Sequence, residues 1–292
     1  MASSPSFAVT VDPSTHSLDI EGTKSSSFSF SSICSSFSFD DESGDGPKTY
    51  DTCDDAEKFA EPKMTTYSDG VTVVSHTPLR SDISSYSSLP TVTQKFKDFG
   101  SHFTLSVKLE ANTPFKTNYI GVAKAKMMIF TGGTSEPDPK TILVPFDNDI
   151  ISMYQSRSLS SHANNMLPMT SSYVAPFYDE NSRAGLVIGA LEHTTWKTGL
   201  KFHAKTFRLE DFQWGCRDLE VIAGLNGLEE TRDWVEHGWV QSEESNVVIS
   251  PEFFVGSFSD WRDGMEEYAR SQLRANTPMP DGVEKPIVGW NR

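Results

Sequence analysis

The sequence predicts a mainly β protein: a large antiparallel β-sandwich with one C-terminal helix and a linker. Phe103-Thr104-Leu105-Ser106-Val107-Lys108-Leu109-Glu110 alternates apolar and polar residues over eight positions, the pattern of a strand with one face on a core and the other in water. Shorter apolar runs at Tyr119–Ala123, Lys126–Phe130 and Gly185–Gly189 stand between Gly, Pro and Asp turns, as strands of a sandwich do. Helical periodicity is scarce before residue 259, so the packed layers are expected to be sheets.

From the N-terminus, residues 1–22 supply the first strands of the sandwich. Residues 23–62 are serine-rich and then acidic. The alternation Phe28-Ser29-Phe30 and Phe37-Ser38-Phe39 fits a strand with one aromatic face, whereas serine richness followed by acid and glycine fits a disordered insertion. The segment is assigned as an irregular insertion. Residues 63–258 form the body of the sandwich and 259–283 a helix and linker. Ser259 or Asp260 can cap that helix, and Trp261, Met265, Tyr268, Ala269 and Gln272 fall on one face of a 3.6-residue period. Pro278 and Pro280 stop it. Residues 284–292 read as a strand just beginning, with nothing after it to pair with, and a chain stopping there is expected to be incomplete.

The 292 residues carry a net charge of -15. Between Asp40 and Glu61, nine acidic and two basic residues give -7 of it. Nucleic acid and anionic membranes would be repelled by such a surface. No 18-residue apolar run is present, so no transmembrane helix is expected. The first ten residues lack the basic and apolar regions of a secretory signal. Cys34, Cys53 and Cys216 are odd in number with no Cys-x-x-Cys spacing, and are read as reduced thiols. No glycosylation sequon occurs. Together these readings place the chain in the cytoplasm.

Few residues suggest chemistry. Thr131-Gly132-Gly133-Thr134 lacks the Lys-Ser/Thr of a phosphate loop, and no Gly-x-Ser-x-Gly elbow occurs. The seven histidines are scattered, so no metal site and no cofactor are assigned. Asp147-Asn148-Asp149 follows Pro145 and has three readings: an Asx-type turn, a contact to sugar hydroxyls, or a cation ligand set. All six tryptophans lie in the final third, where core packing competes with stacking on a sugar ring.

Several stretches together resemble a family. Asp260-Trp261-Arg262-Asp263-Gly264, the proline linker and Gly289-Trp290-Asn291 are similar to the domain junction of alpha-galactosidase-type glycoside hydrolases of family 36. Val144–Asp149, Arg183–Gly189 with Glu192-His193, and Thr195–Gly199 resemble the N-terminal domain of the same family. The resemblance spans roughly residues 70 to 291. It implies a supersandwich-like N-terminal domain preceding a (β/α)8 barrel whose first strand closes on Gly-Trp-Asn-Ser-Trp. This sequence departs from the pattern at Arg292, and the barrel is missing.

Glycoside hydrolysis needs two carboxyl groups across the scissile bond. In the family both are aspartates on later barrel strands, so no catalytic residue is assigned here. The expected function is that of a non-catalytic sandwich domain in carbohydrate metabolism, inactive alone. A free-standing carbohydrate-binding module and a remnant with a structural or interaction role are the alternatives. The resemblance implies that the loop bearing Asp147, Asn148 and Asp149 reaches the barrel mouth, and that Trp290 faces substrate at a strand end. Carbohydrate is the expected partner. Homo-oligomers are expected through a barrel-docking surface that includes Ile287, Val288 and Trp290.

Overall fold

The computed structural model describes residues 6–23, 27–41, 46–79, 89–130, 137–145, 154–163, 167–192, 195–205, 213–224, 238–242 and 246–275. In chain order the strands begin with β1 (Phe7–Val11), β2 (Leu18–Gly22), β3 (Ser27–Phe39), β4 (Lys48–Asp51), β5 (Lys63–Thr66), β6 (Val71–His76) and β7 (Thr91–Asp98). Next come β8 (Phe103–Glu110), β9 (Lys116–Thr117), β10 (Ile120–Phe130), β11 (Pro139–Leu143), β12 (Gln155–Ser158), the one-turn helix α1 (Leu159–His162) and β13 (Met169–Ser172). The last are β14 (Val174–Asp179), β15 (Gly185–Ala190), β16 (Thr198–Lys205), β17 (Gln213–Ala223), β18 (Val240–Gln241), β19 (Val247–Ile249), β20 (Phe253–Phe258) and helix α2 (Trp261–Ala275).

These strands build two large antiparallel sheets. One has eight strands, in the order β1-β2-β3-β10-β17-β16-β13 with β4 added on β3. The other has ten, β12-β11-β14-β15-β20-β8-β7-β6-β5 with β19 added on β8. β9 and β18 form a separate pair. The inward faces enclose one continuous core that includes Phe37, Phe96, Phe177, Phe202, Trp214 and Phe253. The mainly β sandwich is thus the architecture observed, with one long helix, at the C-terminal end, among the described residues.

Residues 27–39 correct the reading of an irregular insertion. Ser27–Phe39 is β3, an interior strand paired with both β2 and β10. Phe28, Phe30, Ile33, Phe37 and Phe39 are all buried. The alternation slips by one place between Phe30 and Ile33, and Ser32 takes φ 55° at that slip. A single extra residue in the left-handed region resets which face points inward. Ser29 and Ser31 are half-buried and Ser32 exposed, whereas Ser35, Ser36 and Ser38 are buried with the core, so serine-rich composition conceals an interior strand.

The cysteines require a second correction, because Cys34 and Cys53 form a disulfide with a Cα separation of 5.7 Å. Ser36 pairs with Asp51 in the β3–β4 ladder. Stepping two residues back along β3 and two forward past β4 brings Cys34 opposite Cys53, a relation invisible without the strand register. Cys216 is the free, buried cysteine, and burial pushes its thiol pKa up.

The ten-stranded sheet is covered on its outer side by α2. Every residue of β14 and β15 is buried, since one face meets the core and the other the helix. Gly264, Tyr268 and Ser271 form the buried stripe of α2. Trp261 stacks on Tyr178 at 4.6 Å, and the Tyr268 hydroxyl donates to the Ala190 carbonyl at 2.7 Å. The approach is close because Gly189 lies beneath the Tyr268 ring: a Cβ there would come within 2.7 Å of it. Ala269, expected on this face, is exposed, because eight residues beyond Trp261 it has turned about 80° away from it. Thr104 and Ser106, expected in water, are buried.

A buried polar chain crosses between the sheets. Ser35 Oγ donates to the Val122 carbonyl at 2.9 Å and accepts from Gln94 Nε2 at 2.9 Å. The Gln94 amide is thereby oriented so that its Oε1 faces His76 Nε2 at 3.1 Å. His76 therefore carries its proton on Nε2, and burial holds its pKa down at about 4.

Candidate functional site

The sequence-predicted contacts Asp147, Asn148, Asp149 and Trp290 lie outside the described residues. Among the tryptophans, Trp214 is fully buried, and Trp196 is buried with its Nε1 donating to the Ile249 carbonyl at 3.2 Å. Trp261 is half-buried against Tyr178. Trp239 is 42% exposed. Of the candidate ring faces, only Trp239 is open to solvent among the described residues.

The chemically richest surface is one the sequence reading missed, the outer face of the eight-stranded sheet. The inward residues of β10, β17 and β16 include Ala125, Leu219, Val221, Leu200 and Phe202, all buried. Strand alternation turns the residues between them outward. Glu220 on β17 stands in register with Lys124 on β10 and with Lys201 on β16. Lys124 is in turn in register with Cys34 on β3, so a polar row crosses four adjacent strands.

Tyr119 completes this row. Its hydroxyl donates to Glu220 Oε1 and lies 3.1 Å from Ser36 Oγ. Burial and the Glu220 charge raise the phenol pKa, so it remains a protonated donor. The ring reaches Glu220 across Gly121, where a Cβ would fall 2.7 Å from the phenol oxygen and 2.3 Å from Ser36 Oγ. The next row carries His203, whose Nδ1 is 3.7 Å from Asp218 Oδ2, with Arg217 Nε 3.9 Å from the same oxygen. Asp218 sits at φ 51°, close to the register shift between β16 and β17. The signal for this face was present in Lys201-Phe202-His203-Ala204-Lys205, which alternates strictly.

At the rim, Lys124 Nζ is 3.8 Å from Asp54. Cys34, Asp51 and Cys53 bring two sulfurs and a carboxylate oxygen within 4.8 Å of one another. The face as a whole offers a carboxylate acceptor, ammonium donors and a phenol in line, a set suited to hydrogen-bonding a polyhydroxyl chain. Two small cavities elsewhere are lined by no carboxylate. One lies beside Ser101, His102 and Gly256, and the other is an apolar void between the sheets at Ala123, Leu105 and Val221.

No family model and no curated protein matches the sequence. Solved structures do. A galactose mutarotase related enzyme from Lactobacillus acidophilus superimposes with a TM-score of 0.50 at 6% identity, covering 88% of this chain and 97% of that one. A galactose mutarotase-like protein from Clostridium acetobutylicum gives 0.45 at 8% identity, covering 87% and 98%. An alpha-galactosidase from Lactobacillus brevis gives 0.39 at 8% identity, covering 93% of this chain and 31% of its own length. The first of these shows a shared fold: the chain is a β-sandwich of the same architecture as that protein. Among the described residues, no helix is long and apolar enough to cross a membrane.

Proposed function

We propose that this chain is the non-catalytic β-sandwich unit of an alpha-galactosidase-like glycoside hydrolase, acting in carbohydrate metabolism. The observation that carries the reading is α2. It packs on β14, β15 and β20 as the last described element, and the proline linker and Gly-Trp-Asn follow it in the sequence in the order that the motifs imply. The purified chain is expected to leave an aryl alpha-galactoside intact. Turnover above a buffer blank that copurifies with it would overturn the proposal. Sequencing the transcript past the Arg292 codon tests the other half, since a frame encoding a barrel with two strand-end aspartates is expected.

A second reading is direct sugar binding on the open face, favoured by the row Lys124, Glu220, Lys201 with Tyr119. Calorimetric titration with galactosides reads it, and equal heats for the unmodified chain and Glu220→Ala would remove it. An interaction role through a free Ser-rich tail has less support, because β3 is an interior strand. The Asp147 loop and Trp290 remain proposed sugar contacts. Self-association through Ile287, Val288 and Trp290 is checked by sedimentation. The charge of -15 argues for no nucleic-acid partner. Cytoplasmic residence is part of the proposal, supported by the lack of sequons, and it implies that Cys34 and Cys53 meet a reducing environment.

A further inference from the structure

We propose that Cys34, Cys53 and Asp51 form a redox-conditional zinc site: a disulfide under oxidising conditions and, once reduced, a dithiolate and carboxylate that bind one borderline-soft divalent cation. Two thiolates, a carboxylate and one solvent position make a ligand set that zinc accepts in a tetrahedron. Zinc bonds of about 2.3 Å to sulfur at tetrahedral angles put the two sulfurs about 3.8 Å apart. Once the bond is reduced, rotation about the two cysteine side chains, whose Cα atoms are 5.7 Å apart, moves the sulfurs to that separation, and the Asp51 carboxylate oxygen lies within 4.8 Å of them.

The feature that favours a site over a simple staple is that the backbone is held independently of the sulfur bond. Thr52 N donates to the Ser35 carbonyl at 2.8 Å, and Ser35 N donates to Thr52 Oγ1 at 3.0 Å. Asp55 N donates to the Asp51 carbonyl at 3.0 Å, and Asp51 N donates back to Asp55 Oδ2 at 2.8 Å. Opening the disulfide therefore leaves both thiols facing each other across the β3–β4 ladder. Asp51 is buried, and its Oδ1 accepts from the Cys53 and Asp54 amides at 2.8 and 3.2 Å. One carboxylate oxygen is thus fixed and the other left for a cation. Lys124 makes its ion pair with Asp54 instead.

The chemistry balances with a phosphine reductant: the disulfide, the phosphine and one water give two thiols and the phosphine oxide. Zinc binding then releases the two thiol protons to solvent. Cys216 is fully buried with a raised pKa and is not a ligand.

The test is titration of the phosphine-reduced 292-residue chain with Co2+, followed by displacement with Zn2+ against a chromophoric chelator. One equivalent of Co2+ is expected to give a thiolate charge-transfer band that zinc abolishes, that the oxidised chain lacks, and that survives Cys216→Ser. Asp51→Asn should weaken binding at least about tenfold, and Cys34→Ser should abolish the band. No band at one equivalent in the reduced, unsubstituted chain overturns the proposal without reliance on any variant. An affinity unchanged in Asp51→Asn, with native circular dichroism, overturns the three-ligand site.

Discussion

Behind α2, the outer face of the ten-stranded sheet is apolar, with Val174, Val187 and Phe254 packed against Tyr268. The outer face of the eight-stranded sheet carries Lys124, Lys126, Lys201 and Glu220 instead. Both sheets share one core, so their inner faces are alike. What a sheet presents on its other side depends on what covers it: a docked helix demands apolar side chains and glycines for close approach, whereas water tolerates a row of charges. The charged face is therefore the place to look for ligands, and the covered face is the place where stability resides.

If that contrast is right, the largest effect comes from the covered side. Phe254→Ala removes a fully buried ring stacked at 4.4 Å on His102 and should cost about 3–5 kcal/mol, read as a fall in the urea midpoint at constant slope. A loss under about 1 kcal/mol would mean that α2 adds little to the fold.

Acid is the next largest lever. Burial holds His76 and His102 at about 4, below their ordinary 6.5. Folded molecules bind fewer protons than unfolded ones between these values, so this stability is present above pH 6.5 and is lost as pH falls towards 4. Glu267, Arg274 and Asp98 are the charges that act on His102. Urea midpoints at pH 7.5 and 5 should differ, the acid one being lower; equal midpoints would contradict the burial of both rings.

Tyr268→Phe is a finer probe. It deletes the hydroxyl that donates to the Ala190 carbonyl and accepts from Gln272 Nε2 at 2.9 Å, at about 1–2 kcal/mol. Exchange protection of the α2 amides should fall with it. The smallest effect belongs to the open face. Lys201→Ala should shift stability by less than about 0.5 kcal/mol, and a larger loss would show that the charged row is structural.

Parts of this were legible in the sequence. Phe103–Glu110 and Gly185–Gly189 appear as β8 and β15, and the Trp261, Met265, Tyr268, Gln272 stripe marks the side of α2 that meets the sheet. Each is a local pattern, an alternation, an apolar run or a helical stripe, and can be read without knowing its partners. β3 was not legible as part of the core, because its alternation changes phase at Ser32 and serine composition mimics a loop. The Lys124, Glu220, Lys201 row was not legible either. Its members come from three strands, and only register sets them side by side.

By itself, the sequence determined the β class and the C-terminal helix, since alternation and helical periodicity act over a few residues. Tertiary structure alone decided which face of each sheet is covered, that Cys34 meets Cys53, and that Tyr119 reaches Glu220 across Gly121. Those contacts join residues 19 and 101 positions apart, and no local preference encodes a partner that only the pairing of β3 with β4, or of β10 with β17, brings within reach.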